Sequence, residues 1–181
     1  MAKAPGRHAD SILAARLLSA VARDAVAACD PAEAVQRVVA ARSERLTVCG
    51  RTLSVRGSGR ILLLAYGKAA LGMTGGLLAR LREAGGKRPV RGLVIAAAEP
   101  QGSGAMARRG RSARTRWIFP EDLPHRQFRL ACLRSEHPIP LRASFAAGRQ
   151  ALQWAGRAGA TDDVIFLASG GGSALMAAPL A

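Results

Sequence analysis

At 181 residues the chain is long enough for one domain of ordinary size with a real core. A hydrophobic content of 49% with only 4% aromatics describes a globular chain filled by Ala, Leu and Val, which excludes a disordered or low-complexity polypeptide. The formal charge of +15 favours anionic ligands, and brings nucleic acid and membrane surfaces into consideration.

Nearly all of that charge is arginine, the usual companion of an Ala- and Gly-rich composition, so it is discounted as a sign of function. Cys29, Cys49 and Cys132 are odd in number and far apart, which suggests neither a disulfide framework nor a metal site and fits a reducing compartment. The N-terminus lacks an apolar signal core. Asp10, Asp24 and Asp30 also argue against an acid-poor transit peptide. The uncharged span 164–181 has three adjacent glycines and Pro179, which make it a poor spanning helix and predict strand plus loop.

Residues 10–28 set Ile12, Leu13, Leu17, Val21 and Val26 at helical spacing, with Asp10 or Ser11 as N-cap. Asp30-Pro31 stops this helix and starts a second, with Pro31 in its first position and Glu33 in its first turn, running to about Ala41. Leu46–Val48 and Thr52–Val55, on either side of Gly50, predict a small hairpin. The run Ile61-Leu62-Leu63-Leu64-Ala65 is that of a strand covered on both faces of a parallel sheet.

Tyr66-Gly67-Lys68-Ala69 leads from that strand into a helix reaching about Arg82. A lysine in the first turn of a helix opposes the dipole, and a bound anion would explain it. The alternative is a lysine pointing to solvent. A second buried strand at Gly92–Ala97 completes a right-handed βαβ unit. Residues 99–116 lose periodicity, mixing glycines with Arg108, Arg109, Arg111, Arg114 and Arg116, and read as a surface loop; the alternative is a polyanion-binding patch. Arg129–Leu133 is a short strand, followed by a connector in which Pro138 and Pro140 hold His137 in one orientation. Ser144–Ala158 is a third helix, packing through Phe145, Leu152 and Trp154.

The stretch around which the rest is organised closes the chain: a buried strand at Val164–Ala168, then Ser169-Gly170-Gly171-Gly172-Ser173. Three glycines leave no side chain to keep a ligand off the backbone, so successive N–H groups can form an anion-binding concavity with a hydroxyl at each rim. A helix starting at or beyond Ser173 would aim its dipole at the same spot. The other reading is a tight strand-to-helix turn with no ligand. The loop is neither a Walker A loop nor a spaced GxGxxG. Both glycine-containing junctions and the His137 connector fall at the carboxyl ends of strands, where open α/β sheets bind ligands. No paired catalytic carboxylates, zinc-spaced cluster or Ser-His-Asp set accompanies them. A basic, donor-rich edge of this kind suits phosphoryl transfer.

Taken together, Tyr66-Gly67-Lys68-Ala69-Ala70-Leu71-Gly72-Met73, Glu136-His137-Pro138-Ile139-Pro140 and Asp162–Leu175 resemble the type II glycerate kinases (glycerate 2-kinases, the MOFRL family), above all the animal-type enzyme. The resemblance covers most of residues 10–181. It implies an α/β, Rossmann-like three-layer sandwich with a mostly parallel sheet, preceded by two helices. It further implies ATP- and Mg2+-dependent phosphorylation of D-glycerate in a cleft between two domains; the residues themselves suggest no metal site in this chain. By resemblance Lys68 is the catalytic residue, neutralising substrate carboxylate or transferring phosphate. Gly67, His137 and the loop Ser169, Gly170, Gly171, Gly172 and Ser173 bind substrate or phosphate. The family's Gly-His-Pro-Val-Pro-Asp is here preceded by Glu136 and ends in Leu141, so no acidic role is carried onto that position.

Family members run to more than twice this length. The expectation is therefore that residues 1–181 form the N-terminal α/β domain of a glycerate kinase, incomplete at its C-terminal end, with little or no turnover alone. A cytoplasmic location is expected, mitochondrial being the alternative, with no membrane and no nucleic-acid partner. Two other classes stand beside this reading: a non-catalytic basic polyanion-binding module, and a Rossmann-like nucleotide-binding domain of other chemistry.

Overall fold

A computed structural model describes residues 6–97, 105–109, 115–120 and 127–179. Helix α1 (Gly6–Ala28) and helix α2 (Pro31–Val38) come first. Asp30 caps α2 as its sequence predicts: the carboxylate accepts from the N–H groups of Ala32 and Glu33 at 2.8 and 2.9 Å. Three short strands follow, β1 (Val39–Arg42), β2 (Arg45–Val48) and β3 (Arg51–Ser54), paired as an antiparallel sheet in that order. The expected hairpin is present as β2–β3. The second helix, expected to reach Ala41, ends at Val38 because Val39–Arg42 pairs with β2 instead.

The main sheet holds β4 (Ile61–Tyr66), β5 (Val90–Ala96), β6 (Ala105–Arg109), β7 (Thr115–Pro120), β8 (Phe128–Arg134) and β9 (Asp163–Ala168), in the order β6-β7-β8-β5-β4-β9. Strands β8, β5, β4 and β9 are mutually parallel, and β7 and β6 extend the sheet antiparallel beyond β8. Residues 105–109 and 115–116 thus belong to strands, not to the surface loop expected over 99–116. Mixed Arg and Gly hide strands whose pairing is supplied by neighbouring strands of the sheet. The rest of that stretch lies outside the described residues.

Helix α3 (Ala70–Glu83) connects β4 to β5, helix α4 (Arg142–Ala155) connects β8 to β9, and the single turn α5 (Gly172–Leu175) follows β9. With helices and the small sheet on one face and α4 on the other, the molecule is a Rossmann-like three-layer sandwich. Alternation along β4 divides the core. Ile61, Leu63 and Ala65 join Val35, Leu46, Leu77 and Leu81 on the α2–α3 side, and Leu64 joins Leu93, Ile95, Ala147 and Leu175 on the α4 side. Leu63 and Leu77 are wholly buried, and truncating either to Ala would cost about 3 kcal/mol. Close approach is supplied by small residues: a β-carbon on Gly76 of α3 would lie 2.4 Å from Ala32 O of α2.

Two expectations about packing differ from the structure. Leu152 of α4 is exposed, because it sits on the side of the helix turned from the sheet while Ala143, Ala147 and Ala151 face it. Ile12, Leu13, Leu17, Val21 and Val26 of α1 are all exposed. Helical spacing identified that element but not what it packs against.

Candidate functional site

The two glycine junctions lie side by side because β4 and β9 are adjacent and in register, Tyr66 opposite Ala168. Hydrogen bonds then interlock them. Ser169 N–H donates to Tyr66 O at 3.0 Å, Lys68 N–H to Gly170 O at 3.0 Å, and Ala69 N–H to the Ser169 hydroxyl at 3.0 Å. Gly67 is the residue that permits this. Its φ is 113°, and a β-carbon there would lie 2.2 Å from Ser169 Oγ and 2.5 Å from Ser169 O.

Lys68 is exposed in the turn before α3, whose first helical residue is Ala70. The dipole argument for an anion, which placed the lysine within the helix's first turn, therefore falls away. What remains is geometric. A β-carbon on Gly171 would lie 2.9 Å from His137 Cδ2 and Nε2 and 3.4 Å from Lys68 Cε, so the glycine loop, the lysine and the imidazole meet at one point. Gly171 has φ 84°, the left-handed turn that ends the strand extension and starts α5. Gly170 faces open space, Gly172 lies against the ring of Tyr66, and Ser173 is exposed. Among the described residues Lys68 makes no ion pair.

Backbone donors are also available here. The first intrahelical bond of α5 runs from Leu175 N–H to Gly171 O at 3.2 Å, so the N–H groups of Gly172, Ser173 and Ala174 precede the bonded ladder. A single turn aligns few peptide dipoles, so the helix dipole expected beyond Ser173 is weak here.

His137 is half-buried and held from both sides. Ser135 N–H continues the sheet to Ala96 O at 3.0 Å, and its hydroxyl donates to Leu175 O at 2.6 Å, tying the connector to the loop after β9. Glu136, the departure from the family pattern, receives the N–H groups of Ala143 and Ser144 at 2.9 and 3.1 Å and so caps α4. The His137–Pro138 peptide is cis. A cavity of about 460 Å³ opens beside this connector, walled by Arg134, Glu136, His137 and Ile139. Sequence reasoning missed Ser135, Glu136 and Tyr66 as parts of the site; only the X-Ser-Glu-His-Pro run at a strand end hinted at the first two.

Among the described residues no group of three His, Cys, Asp or Glu side chains could hold a metal ion, and no helix is long and apolar enough to cross a membrane.

Fold and site together define a Rossmann-like α/β domain with a backbone-and-lysine cradle at the carboxyl edge of its parallel strands. The chain belongs to the family described as "Domain of unknown function (DUF4147)", whose model matches residues 17–181; this is the N-terminal domain of MOFRL/glycerate kinase-type proteins. No curated protein matches the chain. Among solved structures it is similar to the PH0495 protein from Pyrococcus horikoshii OT3, with 25% identity and a TM-score of 0.58. The match covers 97% of this chain and 31% of that one, so the chain spans under a third of that protein.

Proposed function

We propose that this domain supplies one wall of the active site of a D-glycerate kinase, in which Lys68 and the loop Ser169–Ser173 hold an anionic oxygen of substrate or transferring phosphate. The observation that carries this reading is the meeting of Lys68, His137 and Gly171 at the ends of β4 and β9. An exposed ammonium beside side-chain-free backbone is a poor device for stability and a good one for gripping carboxylate or phosphate oxygens. Lys68 neutralises charge, the loop amides orient the anion, and His137 offers Nε2 as a donor or acceptor at the same point. Ser169, whose hydroxyl is taken by Ala69 N–H, positions the lysine turn. ATP would supply the phosphoryl group. Among the described residues no cluster of His, Cys, Asp or Glu side chains could hold Mg2+.

Thermal denaturation of the chain with D-glycerate, MgATP or NAD distinguishes this reading from other Rossmann-like chemistry. Glycerate and MgATP should each raise the midpoint, by about 2.7 kcal/mol of stabilisation at a hundredfold excess over Kd. Lys68→Ala should abolish the glycerate effect. Stabilisation by NAD alone, or an undiminished response in the variant, refutes the proposal.

A further inference from the structure

The turn that presents the loop amides is itself small. Helix α5 has four residues, and a single turn of helix does not hold its own shape in water. Its amino end is the open, donor-bearing side of the cradle, so the direction of those donors has to be fixed from its other end.

Contacts at that end do so. The side chain of Leu175 is wholly buried, among Leu64, Leu93, Leu133, Ala147 and Ala151. The Ser135 hydroxyl donates to Leu175 O at 2.6 Å. Past the turn, Ala177 N–H donates to Ser144 O at 3.2 Å, and a β-carbon on Gly148 would lie 2.1 Å from Ala177 O, so the chain runs flush against α4. Among the hydrogen bonds of the described residues, the one from Ser135 joins the backbone of the turn to the connector that carries His137. Leu175 O is a helix-end carbonyl with no donor from within its own helix, so the same bond closes the turn.

Burial of that hydroxyl is an independent observation. Ser135 is 5% exposed and Ser144 0%, and their hydroxyl oxygens lie 3.1 Å apart. A buried hydroxyl is destabilising unless it is hydrogen-bonded, and a small apolar residue would fill such a position without that requirement. The other buried polar side chains among the described residues have evident structural duties: Thr74 bonds back to Ala70 O within α3, and Arg88 pairs with Asp163. The serine pair instead spans the end of β8, the first turn of α4 and the end of α5. Ser144 is braced in turn. Its N–H donates to the Glu136 carboxylate at 3.1 Å, and Leu141 N–H donates to its hydroxyl at 3.3 Å.

We propose that Ser135 is the positioning residue of the cradle. Through Leu175 O it sets the direction of the Gly172, Ser173 and Ala174 N–H groups, and from two residues before His137 it holds imidazole and loop as one unit. Ser144 holds the Ser135 hydroxyl in place. This role presupposes that the loop is an anion cradle, whichever anion the cradle takes.

Inorganic phosphate is the probe, added to the isotopically labelled chain while the amide resonances of residues 170–174 are followed. Saturable shifts are expected, with Kd on the order of 1 mM. Ser135→Ala should weaken phosphate binding about tenfold, the scale of one buried hydrogen bond. Ser135→Thr, which restores the hydroxyl, should bring affinity back to within about threefold of the native chain. Leu81→Ala, a truncation in the core behind α3, separates positioning from stability: it should lower the thermal midpoint yet leave phosphate affinity within about twofold. Equal affinity in Ser135→Ala, no recovery in Ser135→Thr, or an equal loss in Leu81→Ala overturns the proposal. So does a native chain whose loop amides ignore phosphate up to about 100 mM. Where circular dichroism shows Ser135→Ala unfolded, Ser144→Ala decides, with a loss of about threefold expected and equal affinity overturning the proposal. A phosphate response without stabilisation by D-glycerate or MgATP supports the positioning role and refutes the kinase reading.

Discussion

The two edges of the parallel sheet are built from opposite materials. At the amino edge, charge is used for cohesion. Arg88, only 4% exposed, donates to the carbonyls of Ser54, Arg60 and Thr161 at 2.9, 2.9 and 3.2 Å and pairs with Asp163. Beside it Arg60 chelates Asp162, whose carboxylate also accepts from Arg60 N–H at 2.7 Å and Gly159 N–H at 2.9 Å. At the carboxyl edge the cohesion is carried by backbone and by one serine hydroxyl, and the charged group, Lys68, is left exposed. The fold anchors its charges at one end and leaves Lys68 without an ion pair among the described residues at the other, where the proposed ligand would bind.

That contrast breaks first, and hardest, at Arg88. Arg88→Leu should cost about 4 kcal/mol in chemical denaturation, because it strands Asp163 and several carbonyls at once. A cost below about 1 kcal/mol would show that the amino edge is not held by its charges. Next is Gly67→Ala, expected to cost about 3 kcal/mol by forcing a side chain into left-handed backbone and against Ser169. Retention of wild-type stability there would mean that the two junctions are not interlocked.

Lys68→Ala sharpens the comparison from the other side. Unfolding free energy should stay within about 0.5 kcal/mol of the native chain, while glycerate affinity falls at least tenfold, or about 1.4 kcal/mol. The smallest effect concerns pH. Arg60 holds the Asp162 carboxyl well below the usual carboxylate range. Its contribution is therefore complete above the unfolded value of about 3.9 and is lost as pH falls below it. Asp162→Asn should destabilise the chain at neutral pH, and the gap from the native chain should narrow steadily below about pH 4 in acid titrations followed by circular dichroism.

Much of the sheet was legible because its signals are local. Apolar runs at 61–66 and 92–96 mark strands buried on both faces. The run at 164–168, expected to be buried too, is the outer strand of the sheet and leaves Val164 and Phe166 exposed, because among the described residues no strand or helix covers that face of it. Asp30-Pro31 marks a helix start with its own cap. The strands β1, β6 and β7 escaped notice for the complementary reason. Val39–Arg42 continues a helical pattern, and Ala105–Arg109 has no period, so each is a strand only because a partner strand accepts its hydrogen bonds.

The site divides in the same way. Residue chemistry and the family resemblance together marked Gly67, Lys68, His137 and the run Ser169–Ser173, since glycines beside a cation can leave backbone open to anions. Which of these touch was decided by the registration of β9 against β4 and by the connector after β8. Those contacts join residues about a hundred positions apart, and periodicity carries no information about them. The sequence by itself determined which segments could be strands, helices and glycine turns, because propensity and burial pattern act over a few residues. Only the tertiary structure decided that Ser169 braces the lysine turn, that Glu136 caps a helix, and that Ser135 reaches the loop after β9, because those facts depend on which strand lies next to which.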